Sequence, residues 1–176
     1  MVTLLQNGDG IEVAFVGREG LIGLPALLGG EHTLARFVVS VPGSALKVRA
    51  GVVQEEIRRD TPFQGLLLLY VNAFLKQIVQ SAACNGLHSL AQRCCRWLLK
   101  SADRATSDQF SLTHEFLADM LGVRRSSVSE VLQLFQERGL IHYHRGKIQI
   151  LNRRGLEAAV CECYRSIKEE FERLFA

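Results

Sequence analysis

This sequence has no unbroken, strongly apolar run of the length of a bilayer span. The longest run, GLLLLYVNAFL at 65–75, is closed by Lys76 and Gln77, whereas about 20 apolar residues are needed to cross. The N-terminus lacks a basic region followed by an apolar stretch and a small-residue cleavage site, so no signal peptide is read there. Catalytic signatures are missing too. There is no Ser/His/Asp or Cys/His arrangement, no phosphate loop and no spaced set of metal ligands. GREGLIG at 17–23 is glycine-rich but lacks the strand–GxGxxG–helix context of a dinucleotide site. An enzyme is not expected. The five cysteines, Cys84, Cys94, Cys95, Cys161 and Cys163, are odd in number with close pairs, which suits reduced thiols in the cytoplasm.

What is present is an ordinary globular composition, 48% apolar and 22% charged, in 176 residues. That length allows one or two small cores. The net charge of +3 is unevenly spread. Residues 1–84 hold seven basic and seven acidic side chains, 85–155 hold eleven and six, and 156–176 hold three and five. Positive charge therefore gathers in 85–155, a mild footprint for nucleic acid.

Residues 1–58 read as β. VTLL, IEVAFV, ARFVVSV and ALKVRA are short runs rich in Val, Ile and Leu, separated by Gly and Asp clusters. Four or five strands make a thin barrel, so the module is short of a full jelly roll. Residues 61–83 read as a long helix, with Thr61 placed to cap it and Pro62 at its first position. Leu67, Val71, Phe74, Ile78 and Ser81 or Ala82 follow a coiled-coil seam, and Leu66, Leu69 and Leu75 lie off it. Such a helix needs two partners. The β module and a second subunit are expected, the alternative being a core helix in a monomer. A second amphipathic helix, 89–104, sets Leu90, Cys94, Trp97 and Leu98 on one side, flanked by Arg93, Arg96 and Lys100. ATSDQFSLT, 105–113, reads as a polar connector.

Thr113 can cap a short helix over 114–121 whose apolar face is Phe116, Leu117, Met120 and Leu121. Gly122 suits a left-handed stop and Val123 the inside of a tight turn. The next helix, from about Arg125 to Arg138, points Val128, Val131, Leu132 and Phe135 inward. Two short helices joined by a glycine turn form a helix-turn-helix; the alternative is a helical hairpin with a solvated face. The outward face, Arg125, Ser126, Ser129, Glu130 and Gln133, would meet base edges, while Arg124 and Ser127 suit phosphates. LIHYHRGKIQIL then reads as a hairpin wing with Arg145 and Lys147 at its tip and His142 and His144 on one strand face. The DNA-contacting set expected from this unit is Thr113, Arg124, Arg125, Ser126, Ser127, Ser129, Glu130, Gln133, Arg145 and Lys147. Glu130 is expected to shape specificity, holding Arg125 or Arg124 across the helix. Residues 155–175 read as one terminal amphipathic helix. A continuous helix turns Cys161 and Cys163 about 200° apart, so they read as core thiols and no metal site is expected.

The stretch LTHEFLADMLGVRRSSVSEVLQLFQERGLI, 112–141, followed by YHRGKIQIL, resembles the Crp/Fnr family of bacterial transcription regulators. GREGLIGLPALLGG, 17–30, looks like the turn of that family's sensor domain. The resemblance implies an α+β fold: a partial β jelly-roll or barrel module of the cyclic-nucleotide-binding type (1–60), a dimerisation helix (61–84), a winged helix-turn-helix domain (85–155) and a C-terminal helix (156–176). It implies a homodimer on palindromic double-stranded DNA, with RNA polymerase as a further partner. Only the latter part of that jelly roll is expected in this sequence. Cyclic-AMP-binding members carry Glu after the glycine aligned with Gly23; here Leu24-Pro25 follows, and Arg36 precedes Phe37 rather than Ser. Leucine cannot accept from a ribose hydroxyl, so cyclic AMP is not expected and no cofactor is indicated. The family's iron–sulfur branch uses N-terminal cysteines, whereas the first here is Cys84. The family's recognition helix usually has Glu at the position of Ser126 and Arg at that of Glu130, so its DNA preference does not carry over. A second expectation is a small-molecule sensor with a pocket built from 17–40 and one face of the 61–83 helix.

Overall fold

Three short strands start the chain, β1 (Val2–Leu4), β2 (Gly10–Glu12) and β3 (Ala35–Arg36). They form an antiparallel sheet ordered β2-β1-β3, with Val2 opposite both Glu12 and Arg36. A single helical turn, α1 (Leu24–Leu27), lies between β2 and β3. The computed structural model describes residues 1–59, 61–105 and 107–174. The outer limits expected for the β module at 60 and the terminal helix at 175 lie outside the described residues, as does Thr106 of the connector.

The β character expected as far as residue 58 stops early. IEVAFV gives the sheet only Ile11 and Glu12, and ARFVVSV only Ala35 and Arg36. ALKVRA forms no strand, and Ala50–Arg58 is a helix, α2. Short apolar runs do not separate strand from helix by pattern alone. Here Gln54, Glu55 and Glu56 favour the helix, and Arg59 ties it by pairing with Glu55 at 2.9 Å and Glu56 at 3.4 Å.

The long helix α3 (Pro62–Leu87) runs about 39 Å at 1.5 Å per residue. Thr61 sits at its N-cap position, but its hydroxyl donates to the Glu56 carbonyl at 3.4 Å instead of accepting from an α3 amide. Its buried face is Leu67, Tyr70, Ala73, Phe74, Gln77, Ser81 and Cys84. This corrects the seam expected to meet a second subunit. Leu67, Phe74 and Ser81 point into the protein's own core, and Val71 and Ile78 are half-buried. The reason is packing. α8 (Cys163–Glu172) and the N-terminal module cover this face, so Leu24, Ile167 and Phe171 join Leu67, Tyr70 and Phe74 in one apolar cluster. Leu66, Leu69 and Leu75 stay half or more exposed.

α3 ends at His88, whose backbone is extended, and α4 (Leu90–Ala102) begins at once behind a capping box of Ser89 with Gln92. Trp97, Leu98, Leu99, Cys94 and Cys95 of α4 are fully buried. The flanking cations are buried as well. Arg93 donates to the Leu121 carbonyl. Arg96 donates to Ser81 Oγ at 3.2 Å and Asn85 Oδ1 at 3.4 Å, with Glu12 at 4.0 Å. Lys100 donates to Gln77 Oε1 at 2.8 Å, and Gln77 in turn bonds both backbone groups of Phe15.

The remainder comprises β4 (Gln109–Ser111), α5 (His114–Leu121), α6 (Arg125–Glu137), β5 (Ile141–His144), β6 (Lys147–Ile150), α7 (Arg153–Ala159) and α8. The terminal helix expected in one piece is broken. Val160 is extended, ending α7, and α8 restarts at Cys163. Cys161 and Cys163 therefore escape the helical rotation that would part them, and both are buried beside Cys84.

Burial pushes the Lys100 ammonium down to about 7, against about 10.4 in an unfolded chain. Between those values the unfolded state binds more protons, so this group's contribution rises with pH from about 7 and is least favourable below it. Lys100→Met should be the more stable form by about 1–4 kcal/mol at pH 6, and the gain should shrink as the pH approaches 9.5. Paired urea melts at the two pH values measure this; a gain unchanged by pH would show that Lys100 is not held as a depressed buried ammonium.

Candidate nucleic-acid interface

The site is built on two helices whose facing sides are almost wholly apolar. Thr113 caps α5, its Oγ1 accepting from Phe116 N at 3.1 Å. Leu117, Ala118, Met120 and Leu121 are buried, and Phe116 meets Trp97 edge-on at 6.1 Å. Gly122 stops α5 in the left-handed conformation, φ 62° and ψ 43°. A Cβ there would come within 3.3 Å of the Gly10 carbonyl, so the turn suits glycine twice over. Val128, Leu132 and Phe135 of α6 are buried and Val131 half-buried, the inward face that the spacing predicts.

The opposite side of α6 is open. Arg124, Arg125, Ser126, Glu130 and Gln133 are exposed. Arg124 occupies the N-cap position and supplies no side-chain cap. The first amides of α6 and the positive end of its dipole are thus free for an anion. Two of the expected serines are less available. Ser127 and Ser129 are half-buried, and the Ser129 hydroxyl donates to the Arg125 carbonyl at 3.0 Å while meeting His114 Nδ1 at 2.7 Å. His114 was not legible as a site residue. It packs on Tyr143 at 4.5 Å, and desolvation with Arg125 nearby lowers its pKa. Its signal is only positional: first in α5, one helix away from Ser129.

Glu130 does not hold an arginine. Among the described residues it makes no ion pair, and Arg125 instead lies 3.8 Å from Glu115 of α5. The i, i+5 and i, i+6 offsets from Arg125 and Arg124 put Glu130 on another part of the helix surface. Gln133 is engaged with Glu137 at 3.0 Å.

The wing is a hairpin of β5 and β6 turning at Arg145 and Gly146, both at positive φ (46° and 76°), as a tight two-residue turn requires. Arg145 and Lys147 are exposed at its tip. β4 adds a third strand in the order β4-β6-β5, so part of the segment read as a connector belongs to the sheet. Gln136 of α6 accepts from Tyr143 N at 2.9 Å, fastening wing to helix. His142 and His144 stack at 6.3 Å on an exposed strand face.

Residues 92–159 match the family model described as the Crp-like helix-turn-helix domain. Among curated proteins none matches the chain. Solved structures with the same fold include FixK2 from Bradyrhizobium japonicum, at 17% identity and TM-score 0.66, with 91% of this chain and 81% of that one covered. A transcriptional regulator of the CRP/FNR family from Thermus thermophilus aligns at 20% identity and TM-score 0.64, covering 90% and 80%. A regulator of the crp/fnr family from Eubacterium rectale aligns at 24% identity and TM-score 0.51 over 62% of this chain, and this chain spans about half its length, 51%. The resemblance carried by residues 112–151 holds: residues 92–159 are a Crp-like helix-turn-helix domain, in a chain with the fold of the Crp/Fnr transcription regulators.

Proposed function

We propose that this chain is a sequence-specific transcription regulator that binds an inverted-repeat DNA site as a homodimer. The observation that carries the reading is the exposed, uncapped start of α6, with Arg124, Arg125 and Ser126 presented together in a Crp-like domain that also offers a basic wing tip. In a helix-turn-helix this part of the second helix enters the major groove. Arg125 is placed for the two-pronged contact with guanine, and Arg124, Arg145 and Lys147 for phosphates. Ser126 and Glu130 complete the outward face; an exposed carboxylate there accepts from cytosine and repels wrong sites. Thr113 caps α5 through its Oγ1, and its exposed hydroxyl keeps a hydrogen to donate to DNA. Contact with RNA polymerase, a cytoplasmic location and the absence of a catalytic role belong to the same reading.

The dimer contact is assigned to the outer face of α3. Gly65, Leu68, Asn72, Leu75, Val79, Ala82 and Gly86 follow alternating three- and four-residue steps, and all are exposed. This is a coiled-coil seam with small residues for close approach and one asparagine to fix register. α3 is also long and apolar enough, by length and composition, to cross a bilayer. Against that, Lys76 pairs with Glu170 at 2.6 Å and Gln77 is buried on Phe15, which ties the middle of the helix to the rest of the protein.

A second reading, a small-molecule sensor, has one supporting feature. A cavity of about 110 Å³ lies between the N-terminal strands and α4, lined by Glu12, Phe15, Trp97 and Met120 among others. The Glu12 carboxylate is buried there without a hydrogen-bond donor. The space suits a few atoms, not a cyclic nucleotide. Leu24, in the place of the family's ribose-binding Glu, is buried in the apolar cluster of α3.

Selection from random duplexes should return an inverted repeat with half-sites about 34 Å apart. Arg125→Ala should cost about 1–3 kcal/mol and blur one base in each half; recovery of no enriched repeat refutes the reading. Glu115→Gln, which frees Arg125, should tighten DNA binding by about 0.2–1 kcal/mol in a fluorescence anisotropy titration, and unchanged affinity would show that the pair does not restrain Arg125. Leu68→Asp with Val79→Asp should leave the helical circular dichroism intact, give a monomer by light scattering and weaken DNA binding at least tenfold. A dimer that survives both substitutions places the interface elsewhere.

A further inference from the structure

Four potential ligands converge where the long helix meets the C-terminal segment. Cys84 lies in the last turn of α3, and His88 follows four residues later at the joint between α3 and α4. Cys161 and Cys163 flank Glu162 at the break between α7 and α8. The three thiols are buried, His88 is half-buried, and one ligand atom from each of the four lies within 4.8 Å of every other. Cys84 Sγ is 3.6 Å from Cys161 Sγ, and Cys163 Sγ is 3.5 Å from His88 Nδ1.

These two distances match the edges of a tetrahedral metal site. Zinc–sulfur bonds of about 2.3 Å and zinc–nitrogen bonds of about 2.0 Å put neighbouring ligand atoms roughly 3.5–3.8 Å apart. The surroundings match as well. His88 offers Nδ1 to the cluster, while its Nε2 lies 3.3 Å from the Glu162 carboxylate. A histidine that ligates through one nitrogen commonly donates the other N–H to a carboxylate, which fixes ring and tautomer. Gln80 Nε2 donates to Cys163 Sγ at 3.1 Å, the bond that a metal-bound thiolate accepts. An iron–sulfur cluster fits poorly, because its thiolates surround several irons and stand further apart.

We propose that Cys84, His88, Cys161 and Cys163 form a mononuclear Cys3His site for a thiophilic divalent cation of the zinc class. Binding releases the three thiol protons to solvent and leaves His88 neutral, its Nε2–H on Glu162. The metal clamps the α7–α8 corner to the end of α3. Because His88 and Ser89 are the joint between α3 and α4, the clamp also fixes the angle at which the helix-turn-helix leaves the long helix. The site is independent of the DNA-binding reading, and its test does not involve DNA.

The test uses the full chain, purified under reducing conditions, loaded with zinc chloride and dialysed. Mass spectrometry of the metal should find about one zinc per chain, and cobalt chloride should give the intense visible bands of tetrahedral thiolate coordination. Cys161→Ser and His88→Asn should abolish both signals. Cys94→Ser and Cys95→Ser, buried thiols outside the cluster, should keep them. Glu162→Gln changes an exposed carboxylate, so the fold survives, and zinc affinity should fall about 10–100-fold. A chain folded by circular dichroism that takes up no zinc overturns the proposal. So do equal zinc in Cys161→Ser and wild type, iron with acid-labile sulfide in place of zinc, or a Cys84–Cys161 disulfide in the reduced preparation.

Discussion

Three cations carried into the interior by α4 constrain everything around them. Arg93, Arg96 and Lys100 are nearly fully buried, and a buried charge is tolerated only where polar groups receive it. Their partners lie in two neighbouring helices, α5 and α3. Arg93 reaches the Leu121 carbonyl at the end of α5, Arg96 reaches Ser81 and Asn85 of α3, and Lys100 reaches Gln77, which itself holds the backbone of Phe15. Apolar packing by Trp97 and Leu98 would tolerate some sliding, whereas these directional bonds do not. α4 is thereby a mount that sets α3, the N-terminal sheet and the helix-turn-helix in one arrangement.

That mount explains why the proposed DNA-facing surface is well defined although Arg124, Arg125 and Ser126 are exposed. The start of α6 is held from below by Val128, Leu132 and Phe135, and from the side by the bond between Gln136 and the wing. Arg125 and Arg124 need only reorient at the surface. The weak pair of Arg125 with Glu115, both largely exposed, contributes little to stability.

The helix-turn-helix was legible in the sequence because each of its signals is local: a capping threonine, a left-handed glycine, and a run of i, i+3, i+4, i+7 apolar positions. The rest required tertiary information. α2 and the strand runs before it share the same short apolar pattern, so periodicity could not separate them. The two faces of α3 are both apolar, and only the packing of α8 shows that Tyr70 and Phe74 turn inward while Leu68, Leu75 and Val79 turn out. The burial of the α4 cations was not legible because the residues that receive them lie in α3 and α5. The thiol cluster was hidden by the assumption of a continuous helix over 155–175; one extended residue, Val160, is enough to bring Cys161 and Cys163 together. On α6, Glu130 is exposed whereas Ser129 is half-buried, and the side chains that meet Ser129 and Arg125, His114 and Glu115, come from α5.

The central claim is that this chain meets DNA through the first half of α6 and the wing tip. Amide chemical-shift mapping on the labelled chain, titrated with a duplex it binds, tests this most directly. The account predicts shifts concentrated at residues 124–133 and 145–147, with α7 and the outer face of α3 unmoved. Shifts confined to other surfaces, with 124–133 unchanged at saturation, would contradict it.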